Sequence, residues 1–119
     1  MKRLTLYTKS GCTACTKARQ YLLAAGIHYA ERDIFKHPLT EAELRMVTGD
    51  RPLRDIFSFR SPSARERGLT DVLAPDSVLL SHMLEEPRLI RRPLLAGGPE
   101  LVIGYDTARL QALSQLQEA

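Results

Sequence analysis

The first apolar signal along the chain is short: Leu4, Leu6 and Tyr7 sit among Thr5 and Thr8, a β-prone stretch that stops at Lys9-Ser10-Gly11. The period then changes. Beyond Cys15, Ala18, Leu22 and Ala25 recur at helical spacing, and Gly26 stands where a left-handed C-terminal cap belongs. Ile27 to Ile34 carries Tyr29 and Ile34 among polar residues and reads as a second strand. The opening is therefore a βαβ unit, whose two strands are parallel because a helix crosses between them.

The middle of the chain is helical in pattern. Pro38 precedes Thr40-Glu41-Ala42-Glu43, a capping box that predicts a helix through about Thr48, closed at Gly49. Asp50-Arg51-Pro52 predicts a helix carrying Leu53, Ile56 and Phe57, since proline is tolerated in a first turn. Ser61-Pro62 repeats that start signal and Gly68 ends the segment. A longer helix is predicted from near Asp76 to Glu86, with Leu79, Leu80, Met83 and Leu84 facing inward and Pro87 as its stop. Leu94-Leu95-Ala96 and Leu101-Val102-Ile103 then flank Gly97-Gly98-Pro99-Glu100, the pattern of two antiparallel strands and a short turn. Asp106 caps a last helix with Leu110, Leu113 and Leu116. The whole predicts one α/β domain with a four-stranded mixed sheet, in which 1–35 and 87–119 carry the βαβ and ββα halves and 36–86 is a helical insertion.

Composition narrows the class. A chain of 119 residues with 44% hydrophobic and 26% charged positions buries a core without a disulfide scaffold or structural metal, and disorder is excluded as its main theme. No run approaches membrane-spanning length, so no membrane partner is expected. Met1 to Tyr7 lacks the apolar core and cleavage site of a signal peptide, which makes the cytoplasm the expected compartment. The formal net charge is +3, with basic and acidic residues interleaved, so the global field is weak and direct nucleic-acid binding is not expected. Arginines heavily outnumber lysines, and arginine is suited to planar, bidentate recognition of oxyanions.

The chemistry concentrates at Cys12-Thr13-Ala14-Cys15. A cysteine at the junction of a strand and a helix meets the unpaired amides and dipole of the helix start, so Cys12 is expected to be the acidic, attacking thiolate. Cys15, one turn further in, is placed to attack a bond made to Cys12. The alternative is half a zinc site, but a tetrahedral site needs four ligands; the chain has no third cysteine, and His28, His37 and His82 lack ligand spacing. No metal is expected within one chain. Arg88-Leu89-Ile90-Arg91-Arg92-Pro93-Leu94 is a basic turn running into a strand, and the hairpin arrangement brings its end near the first loop, so that Arg92 faces Cys12 or else belongs to a solvated basic patch. Proline at a strand start forfeits no ladder bond. Phe59-Arg60-Ser61-Pro62 offers Arg60 as an anion ligand or as a partner of its own helix's C-terminal dipole.

The stretch Leu4 to Arg19, together with Glu31-Arg32-Asp33-Ile34-Phe35, Pro38-Leu39-Thr40, Arg60-Ser61 and Arg91-Arg92-Pro93, is similar to the ArsC/Spx family, which joins glutaredoxin-like arsenate reductases and Spx-type regulators. The resemblance spans essentially the whole chain and implies a thioredoxin-like fold with a cis-proline at Pro93. It implies a pocket in which Cys12, Arg60 and Arg92 meet, with Arg91 or Tyr105 standing in for a third ligand and Pro93 beside the thiol. On the reductase side it implies an arsenic-detoxifying oxidoreductase. Cys12 would attack arsenate or a similar oxyanion held by these arginines, with no bound cofactor, glutathione as co-substrate, and glutaredoxin or thioredoxin as partner. That is the function expected first. On the regulator side it implies a Cys12–Cys15 disulfide switch and binding to the C-terminal domain of the RNA polymerase α-subunit; Spx proteins also have a Gly-Tyr pair like Gly104-Tyr105, where the reductases carry an arginine. A general thiol–disulfide reductase needs only Cys12, Cys15 and Pro93.

Overall fold

The computed structural model describes residues 3–70 and 74–118. Met1 and Lys2, which open the N-terminus read above, lie outside the described residues, as does the stretch 71–73 of the expected helical insertion. Contacts divide the chain into two compact units, Met1–Ile34 with Arg92–Ala119, and Phe35–Arg91.

The first unit is built on a sheet of four strands in the order β2-β1-β3-β4. β1 (Thr5–Thr8) pairs in parallel with β2 (Ala30–Asp33), and α1 (Thr13–Ala24) is the crossover between them. β3 (Leu94–Ala96) runs antiparallel to β1, with Tyr7 opposite Leu94, and β4 (Val102–Ile103) runs antiparallel to β3. Alternation along β1 buries Leu4, Leu6 and Thr8 on one face. Ala18 and Leu22 of α1 join Leu4, Leu6, Ile27, Leu95 and Val102 in one core, closed by Leu110 and Leu113 of α5 (Thr107–Glu118). α1 ends where Gly26 requires it: Gly26 has φ +71°, its amide reaches the Leu23 carbonyl, and the Ile27 amide reaches that of Leu22. This is the paired closure of a Schellman end, with Ile27 buried beyond it. The second strand is shorter than its sequence suggests, because Ile27 is consumed in that closure. Leu116, which continues the spacing of Leu110 and Leu113, is 59% exposed, while Leu110 and Leu113 are buried in the core.

The second unit holds α2 (Glu41–Thr48), α3 (Pro62–Glu66) and α4 (Asp76–Glu85). The Thr40 hydroxyl accepts the Glu43 amide while the Glu43 carboxylate accepts that of Thr40, so the capping box is formed in full. Ser61 caps α3 in front of Pro62. The helix expected over Leu53, Ile56 and Phe57 is only a 3-10 turn, Leu53–Ile56. Phe57 leaves it in extended conformation and pairs with Ile90 in an antiparallel bridge, flanked by bonds from Ser58 to Leu89 and from Arg91 to Ile56. A long-range ladder thus overrides the local helical start. Leu84 is 38% exposed rather than inward, while Leu79, Leu80 and Met83 are buried. Among the described residues no helix is long and apolar enough to cross a membrane.

Candidate functional site

One end of the four-stranded sheet collects the chemistry of the first unit. β1 ends there and runs through Lys9-Ser10-Gly11 to Cys12. The register of β3 against β1 starts β3 at the same end, so Arg92 and Pro93 arrive beside it. The chain leaves β4 there through Gly104, whose amide donates to the Pro93 carbonyl. The Arg92–Pro93 peptide bond is cis. Pro93 is buried; Arg92 is half-buried, with its Nε shielded from solvent.

Cys12 is the N-cap of α1. Its backbone is extended, its carbonyl accepts the first helical bond from the Thr16 amide, and its Sγ accepts the Cys15 amide at 3.3 Å. The sulfur therefore occupies the acceptor position that a serine or aspartate oxygen usually fills at a helix start. Both cysteines are free thiols, Cys12 half-buried and Cys15 fully buried at 0% exposure. Burial, and then the hydrogen bond with Cys12, push the Cys15 thiol up to about 12, although a backbone hydrogen bond from Lys9 and the charge of Arg19 pull the other way. The two sulfurs therefore differ in access, Cys15 being the sheltered one, and its burial keeps it protonated.

This asymmetry has a measurable consequence for the reduced protein. The Cys15 thiol titrates higher in the folded chain than in the unfolded one, so its contribution is fully present below about pH 9 and is lost as pH rises toward about 12. Across that window the unfolded state sheds a proton that the folded state keeps, costing at most about 1.4 kcal/mol of stability per pH unit. Urea unfolding of the reduced protein is expected to show this loss, and Cys15→Ala to be less steep by the same amount.

Two side-chain clamps that the sequence pattern did not reveal fix the loop and helix carrying the thiols. Asp33, at the end of β2, accepts both the amide and the hydroxyl of Ser10 through Oδ2, at 3.2 and 3.1 Å, and so ties the loop before Cys12 to the neighbouring strand. On the other side, Glu31 accepts the buried Thr8 hydroxyl at 3.0 Å and both carboxylate oxygens meet Arg19 Nε, at 2.8 and 2.9 Å. Arg19 continues to the Thr16 hydroxyl, which donates to the Cys12 carbonyl. The Arg19–Glu31 pair is partly exposed, so its worth to stability is small and its effect is on orientation. One signal was available in the sequence: Cys15 and Arg19 stand four apart on α1 and so share a face.

The remaining arginines named from sequence belong to the second unit. Arg60 follows Phe59 in the exposed turn before α3. Arg91 lies on the bridged segment, where its amide donates to Ile56 and its guanidinium to the Asp55 carbonyl at 3.3 Å, an anchoring task inside that unit.

Strand order, crossover helix and the cysteine pair at the start of α1 define an α/β protein of the thioredoxin-like class. The chain belongs to the ArsC family, whose sequence model matches residues 7–113. It is 31% identical over 116 residues to the regulatory protein MgsR of Bacillus subtilis, covering 96% of this chain and 92% of that protein. It is 34% identical over 105 residues to the global transcriptional regulator Spx of Enterococcus faecalis, covering 87% and 80% of the two. Its fold is also that of an arsenate reductase from Vibrio cholerae, with a TM-score of 0.81 and 19% identity over 94% of this chain and 98% of that one.

Proposed function

We propose that this protein is a thiol-based redox switch of the regulatory kind, in which oxidation joins Cys12 and Cys15 and the disulfide changes its binding to RNA polymerase. The observation that carries the reading is the Cys12–Cys15 arrangement: an accessible sulfur at a helix N-cap, accepting the amide of a second cysteine that is wholly buried one turn on. The similarity to MgsR and Spx, both regulators by name, supports it, as does the Gly104-Tyr105 pair. In the oxidation, the Cys12 thiolate takes an oxygen from peroxide to become a sulfenic acid and hydroxide leaves. Cys15 then attacks that sulfur, its proton leaves with the hydroxyl as water, and the disulfide is formed. The test is binding of the reduced and the peroxide-treated protein to the C-terminal domain of the RNA polymerase α-subunit. A redox-dependent difference is expected, and no binding in either state overturns the regulator.

A second reading, arsenate reduction, is favoured by Arg92 arriving at the same sheet end as Cys12. There the Cys12 thiolate attacks arsenic and a hydroxide leaves; the thiolate of glutathione or of Cys15 then attacks the Cys12 sulfur, the S–As bond breaks with its electron pair going to arsenic, and arsenite is released as the disulfide forms, with Arg92 neutralising the oxyanion. Arsenate-dependent thiol consumption, measured with glutathione–glutaredoxin and with thioredoxin as donors, separates the two readings. Consumption that is lost in Cys12→Ser supports the reductase, and none in the wild type excludes it.

A further inference from the structure

Reduction of a Cys12–Cys15 disulfide must expel one sulfur as the other is attacked, and the buried position of Cys15 makes it the difficult one to expel. The external thiolate reaches Cys12, which is the accessible sulfur; the Cys12–Cys15 bond breaks and its electron pair goes to Cys15. A thiolate generated in a dry site is poorly stabilised unless a charge has been placed for it. Arg19 is the cation of α1 on the face of Cys15, one turn further along, and it does not sit there by chance of rotamer. Its Nε is gripped by both oxygens of Glu31, Glu31 is fixed by the buried hydroxyl of Thr8, and the far side of the guanidinium bonds Thr16, whose hydroxyl bonds the Cys12 carbonyl.

We propose that Arg19, positioned by Glu31 and Thr8, is the electrostatic partner of the Cys15 sulfur as it leaves, and so sets how fast the oxidised protein is returned to the reduced state by thiols. This rests on the reading that Cys12 and Cys15 form a reversible disulfide, and adds to it the group that governs its reversal. The direction agrees with the electrostatics of the reduced protein, in which the charge of Arg19 favours the Cys15 thiolate against the opposing effect of burial. The chemistry balances with two molecules of a low-molecular-weight thiol. The first attacks Cys12 as its thiolate, giving a mixed disulfide and the Cys15 thiolate, which takes a proton from water. The second attacks the mixed disulfide at the sulfur of the small thiol, releasing the Cys12 thiolate and the oxidised small molecule.

The experiment uses full-length protein oxidised with peroxide, with the disulfide confirmed by mass and its reduction followed with 2-mercaptoethanol at fixed pH. Arg19→Met is expected to slow reduction about five- to tenfold, Arg19→Lys to restore most of the rate because it keeps the charge, and Glu31→Gln to fall between them. Circular dichroism establishes that each variant is folded. To separate an effect on Cys15 from a disturbed Cys12, iodoacetamide labelling of Cys12 is compared in Cys15→Ser with and without Arg19→Met; equal rates are expected. If the wild type forms no disulfide, the redox-switch reading and this proposal fall together. If the disulfide forms but Arg19→Met is reduced as fast as the wild type, or Arg19→Lys is as slow as Arg19→Met, the proposal alone is overturned.

Discussion

Cys12→Ser is expected to fold like the parent and to lose the thiol chemistry entirely: no disulfide after peroxide, and labelling by iodoacetamide at neutral pH reduced to background although Cys15 is still present. The folding half of the expectation follows from the N-cap position. The Cys12 sulfur accepts the Cys15 amide, and a serine oxygen at an N-cap accepts the same kind of bond at least as well, so stability is expected to stay within about 0.5 kcal/mol. The chemical half follows from access. The other thiol is completely buried and held protonated to about pH 12, so it meets neither the oxidant nor the alkylating agent. Cys15→Ser should behave oppositely, with labelling at Cys12 retained and the disulfide lost. Intact mass after alkylation, with a thermal melt alongside, checks both; rapid labelling of Cys15 in Cys12→Ser would contradict the division of roles.

Gly97→Ala is expected to destabilise the protein by about 3 kcal/mol, whereas Gly98→Ala next to it is expected to cost about 1 kcal/mol or less. A Cβ on Gly97 would lie 2.3 Å from the Arg3 carbonyl oxygen, and the residue has φ +99°, a conformation in which an L side chain is strained. The carbonyl belongs to the backbone leading into β1, opposite the end of β3, so it cannot yield without disturbing the pairing of Thr5 with Ala96. A Cβ on Gly98 would meet side-chain ends only, Leu113 Cδ1 and Leu4 Cδ2, each at 3.3 Å, and these can move by a few tenths of an ångström. Urea midpoints of the two variants provide the comparison. Equal midpoints would mean that the close approach of the strands is relaxed at little cost.

Both expectations concern places where local signals and distant contacts meet, and that boundary also divides what the sequence revealed from what it hid. The Thr40-Glu43 capping box, the Ser61-Pro62 start and the Gly26 end were legible because each is an interaction among residues within a few positions of one another. The helix read over Leu53 to Phe57 failed at Phe57 because a partner far along the chain, Ile90, claimed its backbone. Leu84 and Leu116 carry the right helical period, but burial depends on whether anything packs against that turn of the face, which no periodicity encodes. For the same reason the bond of Arg91 to the Asp55 carbonyl, 36 positions away, was invisible, and the family resemblance named Arg91 as a stand-in anion ligand without it.

The cysteine pair and its setting follow the same division. By itself the sequence determined that a strand would feed a helix starting at Cys12, that a second thiol would follow one turn later, and that an arginine and a proline would open a later strand, because spacing and capping are local physics. Only the tertiary structure decided how completely the second thiol is sheltered. Cys15 is buried on the same helix as Ala18 and Leu22, which enter the core, and the clamps from Ser10 to Asp33 and from Thr8 and Arg19 to Glu31 span 23 and 12 positions. They exist because parallel pairing sets β2 beside β1, and the field around a buried sulfur is made by whatever the fold brings there.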